Sequence, residues 1–267
     1  LTVNKLLPEV NASDVSYIED GEGIMNITGP ADGILIVTVN GTNYAIGLDD
    51  MGNATLDVSG LAPGTYTVVI TYIEDDFYQG AVFSNAATIF VEAKDDAIIN
   101  ISDVVINVDD VAVINAGLHF SMAGENVTIT VAGKGSQVVT IDANGTASAE
   151  FTGLAAGEYE IVVTYDGDDI WNAAVANATL TVNKVDPVVT ASDVSYIEDG
   201  KGVMNITGPS DREGNLVVSI NGTNYAVTLD RSGNATLDVS GLAHGTYNVD
   251  ITYIENDKYN AKEFNNI

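Results

Sequence analysis

Gly60-Leu61-Ala62-Pro63-Gly64-Thr65-Tyr66-Thr67-Val68-Val69-Ile70-Thr71-Tyr72 decides the fold of this chain. Its second half is β-branched and aromatic, with polar residues set between apolar ones, the composition of a half-buried strand. Its first half, Leu61-x-x-Gly64-x-Tyr66, is a turn leading to a tyrosine at the strand entrance. The stretch returns as Gly153–Tyr165 and again as Gly241–Tyr253. Tyr66, Tyr159 and Tyr247 therefore set a period of about ninety residues, which is one small domain per repeat rather than one turn of a solenoid.

Working outward, the first and third copies match over longer runs. Asn11–Asp20 returns with one change as Thr190–Asp199, Met25–Pro30 as Met204–Pro209, and Gly52–Ala62 as Gly233–Ala243. Asn40-Gly41 and Asn221-Gly222 sit between apolar alternating segments, as a type I′ hairpin requires, because both central residues need positive φ. Asn144-Gly145 marks a further turn in the middle copy. No segment of useful length carries a helical apolar period. The class is all-β, a tandem array of three immunoglobulin-like β-sandwiches, with expected domains at 1–94, 95–184 and 185–267. Tyr66, Tyr159 and Tyr247 stand where a tyrosine corner would bond back to the backbone. Tyr78, Trp171 and Tyr259 occupy a second equivalent aromatic position. Packing is the expected role there; Trp171, the sole tryptophan, alone hints at a glycan-stacking ring.

Nine Lys+Arg stand against 38 Asp+Glu, a formal charge of −29. Such a field repels phosphate backbones and anionic lipids, which disfavours nucleic-acid and peripheral membrane binding. Cysteine is absent, so no disulfide staples the modules. No stretch approaches the ~18 unbroken apolar residues of a membrane span. The start at Leu1, without a signal-like segment, reads as an excerpt from a longer precursor.

The opening Leu1-Thr2-Val3-Asn4-Lys5 is identical to Leu180–Lys184, the final strand of the middle module. The third module stops at Phe264-Asn265-Asn266-Ile267, before a final strand of its own. Joined tail to head, these two segments resemble the continuous Phe83–Lys94 of the first module. Two explanations compete. A neighbouring segment of a longer repetitive polypeptide supplies the missing strand, or Leu1–Lys5 is donated to the third module of an identical subunit, head to tail.

Catalysis is not expected. His119 and His244 are not at equivalent positions, and no nucleophile elbow, phosphate loop or zinc pattern appears. Acidic residues recur just after the strong strand, and Asp75, Asp76, Asp168, Asp169 and Asp257 are candidate Ca²⁺ ligands, although Asp near turns also serves local backbone bonding. No other cofactor is indicated. Lys5, Lys94 and Lys184 recur at module starts and raise the idea of an isopeptide crosslink, but Asn85 aligns with Ala176, so the acceptor does not recur. Asn-x-Ser/Thr patterns occur at Asn11, Asn26, Asn40, Asn53, Asn100, Asn126, Asn144, Asn177, Asn205, Asn221 and Asn234, candidate glycosylation sites of a surface protein.

The Gly-Leu-x-x-Gly-x-Tyr turns, the Thr-Tyr-x-x-Asp/Asn-Asp loops, the frequent sequons and the lack of cysteine together resemble the bacterial-type Ig-like repeats of adhesin-like surface proteins. Those of methanogenic archaea look closest. The resemblance covers essentially the whole chain and implies an exported, cell-surface location. It also implies attachment to another cell's surface, or a stalk that holds a tip domain away from the cell. At roughly 30–40 Å per module, three modules would span on the order of 100 Å.

Overall fold

The computed structural model describes residues 3–267. The alternation in the stretch that opened the reading becomes a period-two burial. Val68, Ile70 and Tyr72 are sealed in the interior, while Thr67, Val69 and Thr71 face the other way. Each fully buried Val or Ile contributes about 1.5–3 kcal/mol relative to exposure.

The first module carries β1 (Asn11–Ala12), β2 (Val15–Ile18), β3 (Ile24–Thr28), β4 (Ile34–Val39), β5 (Thr42–Gly47), β6 (Asn53–Asp57), β7 (Gly64–Tyr72) and β8 (Ala81–Glu92). They form two sheets, ordered β1-β3-β6 and β2-β8-β7-β4-β5. Between them lies a core that includes Met25, Ile27, Leu35, Val37, Ile70 and Ile89. The chain changes sheet between β1 and β2, and β2 then pairs in parallel with the end of β8, Val15 opposite Ile89 and Tyr17 opposite Val91. The long β8 is interrupted by a bulge, where Asn85 takes φ 55°. Both hairpin asparagines, Asn40 and Asn221, have φ 49°, and the glycines that follow are also left-handed. A type I′ turn needs this geometry to match the strand twist.

The second module follows with β9 (Asp95–Asp96), β10 (Val104–Asn107), β11 (Ala112–Gly117), one turn of 3₁₀-helix (Phe120–Met122), β12 (Asn126–Val131), β13 (Gly135–Thr140), β14 (Thr146–Phe151), β15 (Gly157–Tyr165), β16 (Trp171–Asn172) and β17 (Ala174–Asn183). Its large sheet is ordered β10-β17-β15-β12-β13, and β11 pairs with β14. Here too the closing strand is clasped in parallel, Val104 opposite Leu180 and Ile106 opposite Val182.

The third module has β18 (Thr190–Ala191), β19 (Val203–Thr207), β20 (Gly214–Ile220), β21 (Thr223–Leu229), β22 (Asn234–Asp238), β23 (Val249–Tyr253) and β24 (Lys262–Phe264). Its sheets are β18-β19-β22 and β21-β20-β23-β24, around Ile206, Leu216, Val218, Leu229 and Ile251. By packing, residues 1–98 together with 165–174 form one unit, and 99–164 together with 175–267 form a second. Among the described residues no polar or charged side chain is buried.

Candidate functional site

The feature that recurs in every module is a clasp between the residue that follows a closing strand and an aromatic residue about seventy to eighty positions later. Leu6 bridges Tyr78 in parallel, and Val185 bridges Tyr259 in the same way. Between them in sequence, β9 pairs in parallel with β16, Asp95 opposite Trp171. The backbone bonds repeat as well. The amides of Leu6, Asp95 and Val185 donate to the carbonyls of Phe77, Ile170 and Lys258 at 2.8, 2.8 and 2.9 Å. The second aromatic position is thus where the chain entering a module is tied down, and Trp171 belongs to this clasp. Tyr78 and Tyr259 also pack edge-on against Tyr72 and Tyr253, with ring centroids 6.0 and 5.8 Å apart.

The loop that presents the aromatic is held by one side chain in each copy. Asp75 Oδ1 accepts from the amides of Phe77 and Tyr78, both at 2.7 Å. Asp168 Oδ1 accepts from Ile170 and Trp171 at 2.7 and 2.6 Å. In the third module an amide side chain takes the same place: Asn256 Oδ1 accepts from the amides of Lys258 and Tyr259 at 2.9 and 2.7 Å. The Tyr72 hydroxyl donates to Asp75, whereas Asn256 Nδ2 donates to the Tyr253 hydroxyl at 2.9 Å. The Tyr72 bond, followed by the Tyr78 amide, holds the Asp75 carboxyl below the usual carboxylate range. Burial pushes Asp168 up, but the amides of Ile170 and Trp171 outweigh it and the carboxyl sits below its ordinary value. Burial, then the Asp75 bond, pushes the Tyr72 phenol up to about 12.

These bonds give Asp75 and Asp168 a structural task, capping the loop through Oδ1. Asp76 and Asp169 are exposed on the same loops, and Asp257 pairs with Arg212 at 2.7 Å. Among the described residues no group of three or more His, Asp or Glu side chains is placed to hold an ion. The recurring lysines also belong to the clasp. Lys5 pairs with Glu74 at 2.6 Å and Lys184 with Glu255, while Lys94 turns to Asp20 at 3.1 Å. All three are ion pairs with surface acids, not buried crosslink donors.

The third module adds a charge network that sequence reading missed. Lys258 Nζ lies 2.7 Å from Asp109 Oδ2 and also meets Asp211. The Tyr259 hydroxyl donates to Asp211 at 2.8 Å. Asp109 and Asp211 together raise the Lys258 pKa, so the ammonium is charged throughout the physiological range. No spacing could announce this set, because Asp109 and Lys258 are 149 positions apart.

The tyrosines at the strand entrances each close a corner. Tyr66, Tyr159 and Tyr247 donate to the carbonyls of Ala62, Ala155 and Ala243 at 2.7, 2.9 and 2.7 Å. A second pair went unread in the sequence: Tyr17 donates to the Val58 carbonyl at 2.6 Å, and Tyr196 does the same to Val239. Gly23 and Gly202 are the available signal, since a Cβ at either would fall 2.4 Å from the tyrosine ring. The sequon asparagines Asn11, Asn26, Asn40, Asn53, Asn100, Asn126, Asn144, Asn177, Asn205, Asn221 and Asn234 are all exposed. Leu1 and Thr2 lie outside the described residues. Val3, Asn4 and Lys5 follow them outside any strand, and Val3 is 85% exposed.

No family model matches the chain, and no curated protein matches it. Several solved structures are similar to it. One comes from work on host cell surface retention of a 1.5-MDa bacterial ice-binding adhesin, at 18% identity, covering 99% of this chain and 97% of that chain with a TM-score of 0.48. The I9–I11 tandem from titin is similar at 12% identity, covering 97% and 98% with a TM-score of 0.42. Fibronectin(III)-like modules of Clostridium thermocellum CbhA are similar at 15% identity, covering 65% and 94% with a TM-score of 0.30. No role is carried over from them.

Proposed function

We propose that the chain is a segment of an extracellular, cell-surface stalk of adhesin type, whose task is mechanical and non-catalytic. The observation that carries this reading is the repeated clasp. Each closing strand passes to the next loop with almost no free linker, and the entering residue is hydrogen-bonded on arrival. A connection of that kind resists bending far better than a Gly/Ser linker. The reading is also supported by cores that are apolar throughout, by the eleven exposed sequons and by the strong negative charge, which keeps an extended surface protein dispersed.

Small-angle X-ray scattering on the intact chain tests the reading. A rod-like profile with a maximum dimension on the order of 100 Å is expected for three end-to-end modules. A compact or freely jointed profile would overturn it. Surface location is tested separately, by protease accessibility of the protein on intact cells.

A further inference from the structure

The second and third modules are joined by more than the chain between them, and we infer that Asp109 is the socket of an ion-pair lock that stiffens this joint. Residues 99–164 and 175–267 pack as one unit, so the boundary at Asn183–Val185 lies inside it. Beside the boundary is an open cleft of about 730 Å³, whose lining includes Asn107, Asp186, Val188, Thr190 and Pro209. Charged side chains span it. The Val108 amide donates to the Asn183 carbonyl at 2.9 Å, and the Asn107–Asp110 turn is closed by its own bonds at 3.0 and 3.1 Å. Asp109, at φ 73°, is therefore presented from a tied-down point of the second module. From the third module, Lys258 Nζ comes within 2.7 Å of Asp109 Oδ2, and Arg212 Nη2 within 3.7 Å of Oδ1. Lys258 also meets Asp211, and its side chain is only 15% exposed. Arg212 Nη1 reaches Asp257 at 2.7 Å. The Lys258 bond holds the Asp211 carboxyl below the usual carboxylate range against partial burial. One exposed pair contributes little, but a network around a covered ammonium is less screened by salt.

The socket recurs, and the cation that fills it changes. Asp20, the counterpart of Asp109 in the first module, has φ 65° and takes Lys94 at 3.1 Å, just past the end of β8. Lys184, the counterpart of Lys94, is committed to Glu255 instead, and the cations at Asp109 come from other positions. Lys258 stands where the other modules have Phe77 and Ile170. Arg212 lies in Ser210-Asp211-Arg212-Glu213, where the first module has the shorter Ala31-Asp32. Both departures from the first copy fall at the boundary. The whole chain has only nine Lys and Arg, and two of them converge on this one carboxylate. With the lock closed, the third module is held to the second at two points, the chain at Asn183–Val185 and Asp109. Two points fix an angle, whereas the chain alone leaves a hinge at Lys184. The inference rests on the stalk reading only for the use of such a joint.

Spin labels on the intact chain read the joint directly, because the chain has no cysteine of its own. Val138→Cys in β13 and Asn224→Cys in β21 put one label on each module at exposed positions. In low salt the label-to-label distance distribution is expected to be narrow. Lys258→Met keeps the side-chain stem and loses the charge. Asp109→Asn removes the charge of the socket with a side chain that tolerates the same left-handed backbone. In each of these variants the width should at least double, while Lys258→Arg should leave it narrow. Far-UV circular dichroism checks that every variant is folded. Equal widths in the parent, Asp109→Asn and Lys258→Met would overturn the inference. Broadening in Lys258→Met alone would also overturn it, by assigning the effect to Asp211 within the third module. None of these outcomes decides the stalk reading, which scattering tests on its own.

Discussion

Asp75, Asp168 and Asn256 hold equivalent loops with the same two amide bonds, so a neutral amide oxygen can take the carboxylate's place there. Because bonding depresses the folded-state pKa of Asp75 and Asp168, their stabilisation is complete above the unfolded value of about 3.9. It fades as pH falls through the lower folded value. Asp75→Asn should leave the first module as stable at neutral pH and make it less sensitive to acid, as read by urea melts from pH 7 to pH 2. A loss of stability at pH 7 would mean that the carboxylate has another partner. A second residue-scale prediction concerns Gly52, which has φ 79° and would place a Cβ 2.2 Å from the Gly29 carbonyl oxygen. Gly52→Ala should cost about 1–3 kcal/mol from backbone conformation, and more from the clash. Gly60→Ala, at φ 74° with open space around it, should cost only the first part. Thermal melts of the two variants separate strain from contact.

At the scale of elements, the clasp is held by backbone bonds in both directions: the Leu6 and Val185 amides donate to the Phe77 and Lys258 carbonyls, and the Gln79 and Asn260 amides donate back to the Leu6 and Val185 carbonyls, both at 2.9 Å. Val185→Pro removes the amide that bonds to the Lys258 carbonyl at 2.9 Å while keeping an extended backbone. Limited proteolysis around residues 184–187 should accelerate severalfold, with the β20–β23 core unchanged by far-UV circular dichroism. An unchanged cleavage rate would show that the returning bond from the Asn260 amide to the residue-185 carbonyl, together with the ion pairs, is enough to hold the junction. Strands β4, β7, β15, β20 and β23 were readable because alternation and turn chemistry are local properties. The parallel pairing of β2 with β8 was not, since Tyr17 meets Val91 only after most of a module has folded. The Lys258–Asp109–Asp211 network is hidden for the same reason. The acidic loops were legible as loops, but their role depended on which amides the oxygens met. Asn256 shows what the equivalent oxygens do in these loops, because a neutral side chain accepts the same two amides.

For the whole molecule, structural calcium and capped loops make opposite predictions. Melts with added Ca²⁺ and with chelator should coincide, since the loop oxygens already accept from amides; a transition raised several degrees by Ca²⁺ would restore the ion. The sequence alone determined the repeat, the all-β class, the hairpin turns, the tyrosine entrances and the identity of Leu1–Lys5 with a closing strand. Each of these is a statement about neighbouring residues or about one segment compared with another. Only the tertiary structure decided that Lys5 meets Glu74 across 69 positions, and that the second aromatic ties down the incoming chain. Strand pairing and burial join residues far apart in sequence, so local propensity can state what each segment is but not what it touches.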